Sequence, residues 1–189
     1  SLTGVAVAVD IALKLAARKS RKYSYLFITV PETIGSIAYF ANHPEVIKKS
    51  VGGLFTEMVG TGGPFVGQLT RAGNTYWDLA LKSVLADSGR DSKTVPFLKS
   101  AANDEKIMDS PGVDIPTVSL TRFPYPEYHT SDDCVDLISG PCLSESRDIL
   151  LAFIDAIEND YIPVLLYPGP IFLSGYDLYP DCSNDIKLK

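Results

Sequence analysis

Short runs of branched and aromatic residues alternate along this chain with helix-length amphipathic segments, and that alternation restricts the fold more than any other feature. The segment Thr75–Ser88 is the clearest helix. Trp77, Ala80, Leu81, Val84 and Leu85 recur on one face, and Gly89 follows where a helix ends. Residues 3–19 predict a second helix, with Thr3 as its cap and Asp10, Lys14 and Arg18 as a polar stripe. Val5, Val9, Ala12, Leu13 and Ala16 cover most of its remaining surface. Thr33–Phe40 begins a third helix, and Ser144–Asn159 is a fourth, with Ile149, Leu150, Phe153, Ile154 and Ile157 turned inward. Between them, Tyr25–Val30, Val51–Val59, Phe65–Arg71 and Thr117–Arg122 predict strands, the first of them buried. Pro31 closes the first strand, and Gly60, Gly62, Gly63 and Pro64 form a turn between the second and third. Strands alternating with helices imply a layered α/β domain with a mixed or mostly parallel sheet.

Two stretches carry little regular pattern. Residues 90–116 contain Pro96, Pro111 and Pro116 and read as loops. The segment 161–189 holds Pro163, Pro168, Pro170 and Pro180 and reads as an extended tail, which leaves residues 1–160 as the domain.

Charge and cysteine content narrow the function classes. The net charge of −6 repels phosphate backbones and argues against nucleic-acid binding through this domain. The basic group Arg18, Lys19, Arg21 and Lys22 reads as a solvated helix end. Cys134, Cys142 and Cys182 lack any C-x-x-C spacing and are expected to be reduced thiols of a cytoplasmic protein. No apolar run is long enough to span a membrane.

Three residues stand out as candidates for chemistry. His129 follows a predicted strand and a proline-rich loop, and neutral imidazole is a good metal ligand when a carboxylate holds its second nitrogen. Asp132 or Asp133 is placed to supply one. Glu32 follows the strand Tyr25–Val30 at a helix start, where it serves either as an acid favoured by the helix dipole or as a metal ligand or general base. Glu57 lies in an otherwise apolar strand, where a carboxylate is costly unless paired or bound to a cation. His43, before Pro44, has no such neighbours and reads as structural.

The segments Leu2–Ala6, Pro31–Ser36, Phe55–Gly60 and His129–Asp133 occur in the order and spacing of the zinc exopeptidases typified by bacterial leucyl aminopeptidases. The segments Val30–Ile37, Ser110–Gly112, Ser119–Arg122, Glu127–Ser131 and Leu178–Pro180 resemble a branch of aminopeptidase-like proteins that carry a winged-helix domain after the peptidase-like part. The resemblance implies a three-layer α/β/α sandwich lacking its N-terminal part. It implies one or two zinc ions in the complete protein, with Glu32, Glu57 and His129 as metal ligands, Glu32 alternatively as general base, and Tyr128 or Arg122 steadying the oxyanion or substrate. The substrate it implies is a peptide or small amide.

Two departures accompany it. The aminopeptidases have two adjacent acids where this chain has Pro31–Glu32, and their bridging aspartate falls one residue before Ser1. The resemblance thus describes a fragment of a metal-dependent hydrolase that is inactive by itself and binds little or no zinc. The alternative is a peptidase-like binding or assembly module without catalysis. A missing N-terminal strand would leave a sheet edge exposed, so association into a homo-oligomer is also expected.

Overall fold

The computed structural model describes residues 2–170 and 172–179. The described residues form six α-helices and one mixed sheet of four β-strands: α1 (Thr3–Ala16), α2 (Ile34–Asn42), α3 (Pro44–Lys49), β1 (Gly53–Thr56), β2 (Phe65–Gln68), α4 (Tyr76–Asp87), β3 (Ser92–Val95), α5 (Glu105–Met108), β4 (Thr117–Arg122) and α6 (Gly140–Asn159). The strand order is β1-β4-β2-β3. β1 runs parallel to β4 and β2 parallel to β3, while β2 and β4 are antiparallel. Helices α1, α4 and α6 pack together on one side of the sheet, and α5 packs on β1 and β4 with α2 against it. This is the layered, mostly parallel α/β arrangement expected.

β4 shows how the layers are built. Val118 and Leu120 join the apolar core with Val7, Ile11 and Leu15 of α1, Leu81 and Leu85 of α4, and Ile149, Leu150, Phe153, Ile154 and Ile157 of α6. The intervening Thr117, Ser119 and Thr121 are equally buried but alternate to the opposite face, where the Thr117 hydroxyl donates to Ile115 O and the Thr121 hydroxyl meets that of Ser100. A strand covered on both sides reads as a continuous buried run. Here one covered face is apolar and the other polar.

α4 begins with a full capping box: the Thr75 hydroxyl accepts from Asp78 N–H at 3.3 Å, and the Asp78 carboxylate accepts from Thr75 N–H at 2.7 Å. Gly89 beyond it has φ +63, as the helix stop requires.

Several sequence expectations need correction. Tyr25–Val30 is not a strand: residues 24–30 carry no strand pairing, and Leu26, Phe27 and Ile28 are exposed. A strand needs a hydrogen-bonding neighbour. This segment instead leans on α6, where the Glu158 carboxylate accepts from Tyr23 N–H at 3.2 Å, from Lys22 N–H and from the Tyr25 hydroxyl.

Thr3 does not cap α1; its hydroxyl accepts from Val59 N–H at 3.0 Å and ties the helix start to the chain beyond β1. The inward face of α1 is Val7, Ile11 and Leu15, leaving Val5, Val9 and Leu13 exposed. Its polar stripe is real, with Asp10 and Arg18 pairing to Arg147 and Asp155 of α6.

The proline-containing region 90–116 is not all loop, since it contributes β3 and α5. α6 starts earlier than expected, with Pro141 in its first turn, where a missing N–H costs nothing.

Residues 161–170 have no helix or strand, and a short 3₁₀ turn covers Leu173–Tyr176. Pro180 and Cys182 lie outside the described residues, while Cys134 and Cys142 are free thiols. Among the described residues no helix is long and apolar enough to cross a membrane.

Candidate active site

The site forms where β1 ends. Gly4 of α1 packs so tightly on this point that a Cβ there would stand 2.2 Å from the Thr56 carbonyl oxygen. The chain turns at Met58, whose φ is +50, and Glu57 is left at the mouth of the turn. Its Oε2 accepts from Asn103 Nδ2 at 3.2 Å, while Oε1 is buried without a hydrogen-bond partner among the described residues. Burial raises the Glu57 carboxyl, the Asn103 bond opposes it, and the carboxylates of Glu105 and Glu32 push it further, to about 7.

Glu32 is exposed and sits just before Thr33, whose φ is +62. The corner is fastened by Asp104, which accepts from Thr33 N–H at 2.8 Å and from the Ser36 hydroxyl at 2.5 Å. α2 starts from this anchored corner, so Glu32 is held close enough to act on Glu57.

Tyr128 is half-buried and faces the same pair. Burial raises its phenol, and the charges of Glu57 and then Glu32 raise it further. His129 stacks on the Tyr128 ring, with centroids 3.8 Å apart and planes at 22°. It is exposed and has φ +61, a left-handed backbone that a side chain adopts only where the surrounding turn imposes it. The structure therefore brings Glu32, Glu57 and Tyr128 into one electrostatic neighbourhood, with His129 beside them on the Tyr128 ring.

The remaining sequence candidates are elsewhere. The Asp133 carboxylate accepts from the Tyr125 hydroxyl, and Asp132 is exposed, its N–H donating to the Thr130 hydroxyl at 3.2 Å. Among the described residues neither carboxylate hydrogen-bonds His129. Arg122 is a fold residue: 4% exposed, it lies 3.8 Å above the Phe65 ring and donates to Gly63 O, Ser146 Oγ and Glu145. Those bonds occupy its guanidinium, in contrast to the substrate contact expected from sequence. His43 lies against Glu45 and the Tyr39 ring, well within a structural role.

Asn103, Glu105 and Gln68 were not singled out by sequence. Glu105, with no exposed surface, accepts from Gln68 Nε2 at 2.8 Å and from Asn103 N–H at 3.1 Å. This places Asn103 to donate to Glu57. Asn103 Oδ1 is itself buried without a partner among the described residues. The sequence signal was faint, because Asn103-Asp104-Glu105 looks like any polar turn at a helix start.

Glu57 Oε1 and Asn103 Oδ1 are the chemistry of a place that wants a cation or a donor. Even so, among the described residues no group of three or more His, Cys, Asp or Glu is close enough to hold a metal ion. Zinc sites need about three convergent protein ligands, so the residues present do not by themselves fit zinc.

Known proteins share this fold. A protein of Clostridium acetobutylicum named for polysaccharide biosynthesis and an aminopeptidase-like domain is 33% identical over 170 residues, covering 89% of this chain and 39% of its own length. A crystal structure of a protein from the same organism, named as a peptidase, superposes with a TM-score of 0.79 at 34% identity over 84% of this chain and 38% of that one. BSAP, a zinc aminopeptidase from Bacillus subtilis, shares the fold with a TM-score of 0.68 at 18% identity, over 84% of this chain and 41% of that one. The chain thus spans about two fifths of the length of the relatives it matches. Its fold is aminopeptidase-like, and residues 1–160 match the model of a domain of unknown function, so the chain belongs to the DUF4910 family.

Proposed function

We propose that these residues form part of the active site of a metal-dependent aminopeptidase-like hydrolase acting on peptide or related amide bonds, and that residues 1–189 alone are inactive. The observation that carries this reading is the convergence of Glu57, Glu32 and Tyr128 at the end of β1, with a buried carboxylate oxygen left unpartnered. A carboxyl titrating near neutrality is a competent proton acceptor, and a phenol beside it can donate a hydrogen bond to a developing oxyanion. Zinc in the related aminopeptidase supports a metal here, with its remaining ligands supplied from outside this chain. The resemblance to proteins with a following winged-helix domain extends the proposal to the complete protein, in which residues 1–160 are the peptidase-like part and 161–189 connect onward.

Zinc titration tests it. The expected result is stoichiometric binding to a longer polypeptide extended upstream of Ser1, weakened by His129→Ala, and no tight binding by residues 1–189. Hydrolysis of an aminoacyl amide should follow the same pattern.

A second reading, a peptidase-like binding or assembly module, is favoured by the absence of any three-ligand group among the described residues. Failure of the longer polypeptide to bind zinc would establish that reading instead.

A further inference from the structure

Gln68 stands where a polar side chain is hard to keep. It ends β2, the strand between β4 and β3, in register with Ser119 on one side and Val95 on the other, and it has no exposed surface. A buried amide is costly unless it is bonded. Both ends of this one are bonded: Oε1 accepts from Ser100 N–H at 3.2 Å, and Nε2 donates to Glu105 Oε1 at 2.8 Å. The Glu105 carboxylate, equally buried, turns back on the same loop and accepts from Asn103 N–H at 3.1 Å. The loop of residues 100–105 is thus tied at both of its ends to one side chain, and the backbone of that side chain is fixed by a ladder on either side.

From that loop two arms reach the candidate acids. The Asn103 side chain donates to Glu57 Oε2 at 3.2 Å. The next residue, Asp104, accepts from Thr33 N–H at 2.8 Å and from the Ser36 hydroxyl, and so holds the corner that carries Glu32. That corner needs holding. Thr33 has φ +62 and ψ −60, a backbone that a β-branched residue keeps only where its surroundings impose it. Glu32 and Glu57 come from separate segments of the chain, yet adjacent residues of one loop place both.

We propose that Gln68 and Glu105 are positioning residues: through Asn103 and Asp104 they set the places of Glu57 and Glu32 together, so that breaking the buried Gln68–Glu105 bond displaces both acids at once. Neighbouring residues of a short tied loop move as a unit, which gives the two carboxylates a fixed relation that neither β1 nor α2 supplies alone. Side chains that do chemistry work only when a bonded supporting shell holds them in place. The role assigned to Gln68 and Glu105 rests on the reading of Glu32 and Glu57 as the working acids of a hydrolase. The geometry of the clamp does not.

Exchanging the two side chains tests it. Gln68→Glu alone sets two carboxyl groups face to face with no amide donor between them. Adding Glu105→Gln restores the bond in the reverse direction: the amide now at position 105 donates to the carboxylate now at position 68, which still accepts from Ser100 N–H, and the amide oxygen still accepts from Asn103 N–H. At pH 8, Gln68→Glu should speed amide exchange at Thr33 by at least ~10-fold while β4 amides change by less than ~3-fold, and the double variant should recover wild-type exchange. The Asn103 side-chain proton bonded to Glu57 should move upfield in the NMR spectrum of the single variant and return in the double one. If Gln68→Glu does not fold, Glu105→Gln, which leaves an amide N–H buried without its acceptor, takes its place with a smaller change in the same direction. A folded single variant with both signals unchanged overturns the proposal, as does a change at one arm without the other, or a double variant that recovers neither. In a longer polypeptide that hydrolyses an aminoacyl amide, Gln68→Glu should lower kcat about 10–100-fold with KM changed by less than ~3-fold, and the double variant should restore it. An unchanged kcat would overturn the positioning role. Absence of hydrolysis by the longer wild-type polypeptide would end the hydrolase reading instead, and the exchange measurement would still decide whether the clamp holds both acids.

Discussion

Asp78 and Glu57 are acids placed beside the same sheet and treated in opposite ways. Asp78 is fully buried and accepts four hydrogen bonds, from Thr70 N–H and hydroxyl at 2.7 and 2.6 Å and from Thr75 N–H and hydroxyl at 2.7 and 2.8 Å. Burial alone would raise its carboxyl, but those bonds outweigh burial and hold it below the usual range. Among the described residues Glu57 has one donor, Asn103, and two neighbouring acids, and its carboxyl rises to about 7. The contrast separates a carboxylate that builds the fold from one the fold leaves unsatisfied. Fully bonded acids rigidify a corner, whereas under-bonded ones are the usual mark of a functional place.

The largest way to sharpen this contrast is Asp78→Ala. It strips four bonds and leaves Thr70 N–H buried without its acceptor, so chemical denaturation should show a loss of about 3 kcal/mol or more. Because its folded carboxyl is depressed, the stability Asp78 contributes is present above its unfolded value and disappears as pH falls through the folded one. Wild-type protein should therefore lose stability in strong acid, and the Asp78→Ala variant should show less of that loss.

Glu57→Gln should act with the opposite sign. The raised carboxyl contributes stability that is fully present below its unfolded value and is lost as pH rises through about 7. In metal-free protein the variant should be more stable than wild type at pH 8, by about 1–2 kcal/mol after discounting for partial exposure, and equal to it at pH 4. A destabilised Glu57→Gln at pH 8 would mean that this acid is as fully satisfied as Asp78, which would break the comparison.

Asn103→Ala removes the one donor that Glu57 has among the described residues and should cost about 1 kcal/mol at pH 8 and less at pH 4, where the carboxyl is protonated. The smallest effect is expected at Ser119, whose buried hydroxyl has no partner among the described residues. Ser119→Ala should be neutral, or stabilising by up to about 0.5 kcal/mol. A clear loss there would show that the polar face of β4 holds an unseen partner, such as water.

The legible part of the fold was the part written in periodicity. The inward residues of α6 were readable because 3.6-residue spacing places them on one stripe, and β4 was readable from its branched alternation. β3 and α5 were missed because four-residue elements among prolines carry no period long enough to detect. Tyr25–Val30 had the composition of a buried strand, but composition cannot supply the neighbour that makes a strand.

The site was legible in a similar, partial way. Glu57 stood out because an acid in an apolar run is costly, and His129 because only two histidines occur in the chain. Arg122 and Asp133 attracted attention from neighbouring residues, yet both bond elsewhere, to Glu145 and to Tyr125. Asn103 and Glu105 escaped notice because their importance lies wholly in contacts across long sequence separations, to Glu57 and Gln68.

By itself, then, the sequence determined the α/β class, the main helices with their buried stripes, and the acids worth suspecting, because hydrophobic spacing and the cost of burying charge are local properties. Tertiary structure alone decided which acids share a field, which are fully bonded, and which strand edges stand open. Those are relations between segments that meet only when the sheet and its two helical layers close around them.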